Sequence, residues 1–162
     1  MGLRAGAALG ASLADAVAEV ETRAATRGDL DFAFETLRAS MRPYVEAAFG
    51  PWDEAEQRAR FAATFDLRTH RVVRCDGEDA GLVAIETHVD RIALERLFLL
   101  PRFQGRGLGT SLVRALLRRA REEALPVRVT VLRSNPGALR FYERLGFRRT
   151  IGTRLHLHLE AD

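Results

Sequence analysis

The hydrophobic pattern changes abruptly between residues 97 and 125, and that change constrains the fold more than any other feature of the sequence. Leu97-Phe98-Leu99-Leu100-Pro101 is an apolar run closed by a proline, residues 111–125 carry apolar side chains at helical spacing, and Gly105, Gly107 and Gly109 stand between them. Such a stretch folds as a strand that turns sharply into a helix. A turn of this kind aims several main-chain N–H groups at one point in front of the helix, where the dipole favours an anion. Gln104, Gly105, Arg106, Gly107, Leu108, Gly109 and Thr110 therefore read as a phosphate cradle. Glycine lets a bulky diphosphate approach the main chain without meeting a Cβ atom, Arg106 adds a cation and Thr110 a hydroxyl.

The same glycines have other readings. A plain tight connection has this composition too. The nucleotide-hydrolase loop ends in Gly-Lys-Ser/Thr, whereas Gly109 is followed by Thr110 and Ser111 with no lysine. The dinucleotide fingerprint GxGxxG, counted from Gly105, meets Thr110 where its third glycine belongs. What remains is Gln-x-x-Gly-x-Gly, starting at Gln104. Beyond the next helix and strand come Asn135, Ala138, Tyr142 and Gly146-Phe147.

With these two segments in this order, the chain resembles the GNAT family of acyl-CoA-dependent N-acetyltransferases. The resemblance implies an α+β fold: a mixed, mostly antiparallel central sheet of about seven strands with helices on both faces. It also implies that Gln104, Gly107 and Gly109 hold the pyrophosphate of acetyl-CoA, with Asn135 contributing from the later segment. In that family two central strands part and the pantetheine arm lies between them. Carried over, Leu99 and Leu100 would offer main-chain N–H groups to the arm and to the thioester oxygen. Tyr142, on the helix that passes the sulfur, is the expected acid for the departing thiolate.

The base is less marked. Glu95, on the strand ahead of the arm-binding segment, and Glu86, on the preceding strand, are the candidates, and each also reads as an ordinary surface carboxylate or an arginine partner. Members of the family that acetylate protein N-termini often carry a glutamate in the strand before Asn135. Thr130 stands about there, which argues against a peptide N-terminus as acceptor. His156-x-His158 has no third ligand at metal spacing, so no metal is expected. Cys75 has no adjacent base in sequence and reads as a structural thiol.

Length and composition fit this picture. At 162 residues the chain has the size of one domain, and its 47% hydrophobic and 29% charged residues are those of a soluble globule. Residues 1–19 read as an extension, disordered or a short helix, and residues 20–162 as the acetyltransferase domain. A secretory signal in the alanine-rich start is disfavoured by Asp15 and by the scarcity of leucine. No apolar run reaches the about 18 residues of a membrane span. The single cysteine excludes an internal disulfide, and a cytoplasmic location is expected. Net charge is only +3 with every basic residue an arginine, and the arginines are dispersed, so a nucleic-acid partner is not expected. The acceptor is expected to be a small-molecule or peptide amine. A homodimer through an exposed strand edge is allowed, and the rival reading of the whole chain is a non-catalytic acyl-CoA-binding or sensor module.

In chain order, residues 20–26 predict a strand, and Asp29 caps a helix whose stripe is Leu30, Phe34, Leu37 and Met41. Arg42-Pro43-Tyr44 predicts a break, with a second short helix over 45–49. Asp53 caps the next helix, with Glu56 as reciprocal partner and Ala55, Ala59, Ala62 and Phe65 along one side. Tyr44, Phe49, Trp52 and Phe61 read as core or as the wall of an acceptor pocket. Residues 70–75 and 80–88 form a hairpin around the turn 76–79. Residues 91–100 form the strand before the cradle, its apolar end covered on both faces, and residues 107–124 the helix after it. A buried strand at 126–132, a helix at 137–145 closed by Gly146, and strands at 147–151 and 153–159 complete the chain.

Overall fold

The computed structural model describes residues 20–162, so the expected extension at 1–19 lies outside the described residues. The elements run β1 (Thr22–Ala24), a 3₁₀ turn (Arg27–Asp29), α1 (Leu30–Phe49), α2 (Glu54–Thr64), β2 (His70–Cys75), β3 (Glu78–Thr87), β4 (Ile92–Leu99), a 3₁₀ turn (Pro101–Phe103), α3 (Leu108–Glu123), β5 (Val127–Leu132), α4 (Pro136–Arg144), β6 (Arg148–Arg149) and β7 (His156–Ala161). The seven strands make one sheet in the order β1-β2-β3-β4-β5-β7-β6. Every pairing is antiparallel except β4 with β5. This is the mixed, mostly antiparallel α+β architecture that the resemblance implied.

Alternation along the strands sends side chains to two helical layers. Val83 and Ile85 of β3, Leu94 of β4 and Val129 and Val131 of β5 pack with Leu112, Leu116 and Ala120 of α3 and Tyr142 of α4. Leu82, one residue out of phase, packs instead with Ala33 and Phe34 of α1 and Phe61 of α2. Helices cover both faces because each face of β3 is apolar: Ala80 through Ile85 are all buried.

Two irregularities shape the centre of the sheet. Ala84 pairs with Arg96 but Ile85 pairs with Leu94, so Glu95 is an extra, bulged residue of β4. The β4–β5 ladder holds only Ile92–Val127, Ala93–Arg128 and Leu94–Val129, after which the strands part. β4 stays with β3 as far as Leu99, and β5 stays with β7 as far as Leu132. Bulge and parting coincide, as expected of a feature that bends its strand and increases its twist.

Several local expectations are corrected. α1 runs unbroken through Pro43 to Phe49; a proline removes one intrahelical donor, and here tertiary packing outweighs that cost. Asp29 makes no side-chain cap bond for α1. Its carboxylate turns back to the Thr26 N–H at 2.7 Å and pairs with Arg23 at 2.7 Å, whose guanidinium also holds Asp79. Asp53 does cap α2, accepting from the Glu56 N–H at 2.8 Å, but the Glu56 carboxylate binds Arg60 one turn on. Ala55, Ala59 and Ala62 face solvent, and the buried residue of α2 is Phe61. The ring of Phe61 packs against Phe34 and Phe65, and Trp52 against Phe34, while Phe49 is exposed. β5 is buried on one face only, with Arg128 and Thr130 exposed. The last two strands are shorter than expected, because residues 150–155 form a loop closed by Thr153 on His156.

Phe61→Ala is expected to lower unfolding free energy by about 3–5 kcal/mol, the range for a deleted core aromatic. Ala59→Ser, on the solvent side of the same helix, should change it by less than about 0.5 kcal/mol, and urea titrations of both variants measure the contrast. A second outcome follows from Asp29. Its neighbours hold the carboxyl down at about 2, with the Arg23 guanidinium the first cause and the Thr26 groups assisting. A carboxylate whose folded pKa is depressed stabilises above the ordinary value near 4 and loses that contribution as pH falls towards 2. Asp29→Asn should flatten that part of the stability–pH curve, measured by thermal melts between about pH 5 and 2.

Candidate active site

The parting of β4 and β5 opens a cleft of about 510 Å³. One wall is the end of β4, Leu97, Phe98 and Leu99; the floor is the glycine turn and first turn of α3; the far wall is Asn135, Ala138, Phe141 and Tyr142. Leu97 through Leu100 are half-buried, correcting the expectation of a strand covered on both faces. The missing cover is the neighbour strand that has moved away.

The turn is built as its glycines demand. Gly105 and Gly107 have φ of +73° and +83°, left-handed values that a side chain adopts only under strain. Among the described residues, no main-chain N–H from Gly105 through Thr110 reaches a carbonyl or side-chain acceptor, and Ser111 is the first of the helix to do so, on Gly107. Gly109 sits where an added Cβ would lie 3.3 Å from the Phe141 ring, so its bareness sets how closely α3 approaches α4. Gln104 donates its side-chain amide to the Leu99 carbonyl at 2.9 Å, bracing the turn against the strand. Arg106 is exposed, its guanidinium 5.2 Å from the Phe103 ring centre. Gln104, Gly105, Gly107, Leu108, Gly109 and Thr110 all line the cleft. A run of free donors ahead of a helix, beside a half-exposed apolar wall, suits a ligand with an anionic end and a long, weakly polar arm.

Leu100 is not part of this surface. Its N–H is bonded to the Ala80 carbonyl at 2.9 Å, so it cannot serve an arm in the cleft. Antiparallel ladders alternate inward and outward peptide groups. With Leu100 facing β3, the outward groups are those of Leu99 and Leu97, and the Leu99 carbonyl turned to Gln104 agrees. The donors of β4 are thus Leu97 and Leu99. Asn135 lines the cleft but is structurally committed, its carboxamide oxygen capping α4 through the Ala138 N–H at 3.1 Å.

Tyr142 is buried, wedged between Phe141 and Phe147 with ring centres 5.0 and 5.3 Å away, and it borders the cleft. Burial pushes its phenol above the ordinary tyrosine range, so it stays protonated at neutral pH and can give up a proton there but not act as a base. Glu95 lies elsewhere. It borders a second cavity of about 680 Å³, lined also by Ala93, Arg128, Thr130, His158 and Glu160, on the sheet face away from α3. Among the described residues it makes no ion pair. Glu86 is 3.8 Å from His88, and the ligating atoms of Glu86, His88 and Glu95 lie within 4.8 Å of one another. Tyr142 and Glu95 therefore stand on opposite sides of the parted strands. The imidazoles of His156 and His158 do not group with each other; His158 meets Thr130 at 3.0 Å across the β5–β7 ladder. Cys75 is half-buried with its thiol 3.7 Å from Asp76.

Some of the site was not anticipated. Ser40 and Met41 of α1 line the cleft unannounced by the sequence, beside Tyr44, which the sequence reads as core or as the wall of an acceptor pocket, and the Ser134 hydroxyl donates to the Tyr44 carbonyl at 2.7 Å, docking α1 beside the end of β5. Spacing assigned Met41 to a core stripe, and the expected break at Arg42-Pro43-Tyr44 separated it from Tyr44; only the continuity of α1 through Pro43 puts them on one wall. His88, in a turn, had no sequence signal linking it to Glu86 and Glu95.

Among the described residues no helix is long and apolar enough to cross a membrane. The acetyltransferase (GNAT) family profile matches residues 34–147. A protein of Archaeoglobus fulgidus described as an uncharacterized N-acetyltransferase is 32% identical over 145 residues, covering 80% of this chain and 94% of its own. The spermidine N(1)-acetyltransferase of Escherichia coli is 36% identical over 88 residues, 47% of this chain and 43% of that protein. Among solved structures, the PaiA N-acetyltransferase of Thermoplasma acidophilum in complex with coenzyme A superposes with a TM-score of 0.70 at 17% identity, over 88% of this chain and 98% of that one. The bare-donor turn, the parted strands and the extent of these matches lead to one conclusion: the chain belongs to the GNAT family and is an acyl-CoA-dependent N-acyltransferase.

Proposed function

We propose that the protein transfers acetyl from acetyl-CoA to a primary amine by direct attack in a ternary complex. The observation that carries the reading is the set of unbonded N–H groups from Gly105 through Thr110, contiguous with the open edge of β4. The turn would grip the pyrophosphate, and the N–H groups of Leu97 and Leu99 would bond the pantetheine arm and face the thioester oxygen as it gains charge. A preorganised donor of that kind is worth about 3 to 4 kcal/mol of barrier. Tyr142 donates the proton that the departing thiolate needs. The phenol begins protonated at neutral pH, burial makes it a weaker acid, and the same apolar surroundings make the departing thiolate a stronger acceptor.

The amine enters from the other side of the sheet, through the cavity that Glu95 borders. Glu95, which makes no ion pair among the described residues, takes the ammonium proton directly or through a water shared with Glu86. That division explains why acid and base occupy different cavities: the thiol leaves on one side of the parted strands and the amine arrives on the other. The relative that acts on spermidine supports a small aliphatic amine among the acceptors to be tried, alongside amino acids, aminoglycosides and lysine peptides.

Calorimetric titration with acetyl-CoA should give a single site. Gly107→Val should weaken it by at least about tenfold, or about 1.4 kcal/mol, since a β-branched residue at left-handed φ costs about 1–3 kcal/mol. An acetyl-CoA affinity unmoved by this change would displace the turn from the site. Tyr142→Phe should lower turnover at least about tenfold while leaving acetyl-CoA affinity nearly unchanged. Thiol release across the amine panel provides the assay, and binding without release for any amine would favour the non-catalytic module.

A further inference from the structure

The bulge in β4 is tied down from the side opposite the cleft. His70, Ala84 and Arg96 form one lateral row across β2, β3 and β4. Because Ala84 contributes only a methyl group, the Arg96 side chain crosses above it, and Nη1 lies 2.9 Å from Nε2 of His70. The His70 ring is buried, with Nδ1 2.8 Å from the Asp66 carbonyl oxygen. A carbonyl only accepts, so the hydrogen sits on Nδ1 and Nε2 is left as the acceptor that a guanidinium requires. Arg96 also donates to the Thr64 hydroxyl at 2.6 Å and lies 4.6 Å from the ring centre of Phe61. Every hydrogen-bond partner of this half-buried cation is neutral.

We propose that neutral His70 is a positioning residue: through Arg96 it fixes the bulge at Glu95, and so the bend that presents Leu97 and Leu99 to the cleft. The proposal rests on the reading of that cleft as the acyl-CoA site. Arg96 is the residue next to the bulge, and the extra residue puts Glu95 and Arg96 on the same side of the strand, so the guanidinium can be held only if the bulge is in place. Protonating His70 puts a hydrogen on Nε2, turns the acceptor into a donor and sets two cations against each other.

The groups facing the ring are Asp66, itself paired with Arg68, the Thr69 hydroxyl 3.0 Å from Nδ1 and the edge of Phe65, all from the α2–β2 loop, and Arg96 from β4, which also feels the charge of Glu95. Burial first, then Arg96, favours the neutral ring, and the Asp66 carbonyl and carboxylate oppose them. The net direction is below the ordinary histidine value. Neutral His70 is then fully present above about pH 6.5 and is lost as pH falls through the lowered folded value.

Amide and imidazole NMR titration of the full chain tests this. The main-chain resonances of residues 95–99 should move with the His70 ring, at one midpoint below about 6.5, and the acetyl-CoA Kd should rise at least about fivefold across the same step. His70→Gln offers an oxygen to Arg96 that does not titrate, and should leave those amides and the Kd flat over that range. Stationary amides at 95–99 while His70 titrates would overturn the proposal. So would a His70 that stays neutral until the chain unfolds, or a His70→Gln protein with the same acid loss. The wild-type titration decides the matter even where the variant does not fold. Coupled amides with no acetyl-CoA binding at any pH would leave the tether standing and remove the reading of the cleft.

Discussion

The structure turns on the parting of two neighbouring strands after only three shared residue pairs. Peptide groups inside a sheet need partners, so a gap there survives only if each strand is held elsewhere and the exposed edge can be solvated or filled. β5 is held by β7 along its whole length and by α1 at Ser134. β4 is held by β3 and displaced by the extra residue Glu95. The outward groups of Leu97 and Leu99 are then left beside the free donors of the glycine turn. One geometric defect thus supplies both the apolar wall and the polar edge that an acyl carrier needs.

Charge is organised around that defect. In a chain whose basic residues are all arginine, most carboxylates are tied to a guanidinium: Glu21 to Arg74, Glu78 to Arg102, Glu143 to Arg149, Glu160 to Arg128. These exposed pairs add little stability individually, but they leave few charges uncommitted near the centre of the sheet. Among the described residues Glu95 makes no salt bridge and Arg96 has no carboxylate hydrogen-bond partner, although they are adjacent. The bulge that puts both on one side prevents the usual alternation from separating them. Neighbouring side chains then bind different things, Arg96 the scaffold and Glu95 nothing within the described residues. A carboxylate left in that state beside an open cavity is the chemistry that a proton acceptor needs.

What the sequence made legible was local. Gly105, Gly107 and Gly109 announce a turn because left-handed φ and close approach are properties of single residues, and Asp53 and Gly146 mark helix ends for the same reason. Errors arose where tertiary packing decided. Pro43 breaks an isolated helix, yet α1 is held on both sides of it by the sheet. The alanine stripe of α2 has good helical period, but one Phe61 buries more surface than three alanines and turns the helix over. The apolar end of β4 looked like a covered strand because hydrophobicity does not reveal whether the cover is protein or ligand. Leu99 and Leu100 were indistinguishable until the ladder with β3 fixed which peptide faces out.

The same division explains why the carrier side of the site can be read and the acceptor side has to be measured. On the proposed reading main chain would do most of the binding in the cleft, and main chain is the same for every residue, so the sequence needs only to supply glycines and a strand that bends. The proposed acceptor cavity is bounded by side chains from β4, β5, β7 and the loop at Thr150 and Ile151, segments distant in the chain and brought together only by the crossover β5-β7-β6. Its recognition chemistry resides in combinations such as Thr130 with His158 and Arg128 with Glu160, in which each partner satisfies the other before any amine arrives. An acceptor that binds there must do better than these internal partners or leave them intact. Glu95, which makes no ion pair among the described residues, is on the proposed reading the group in that cavity that would meet an incoming ammonium without first breaking one.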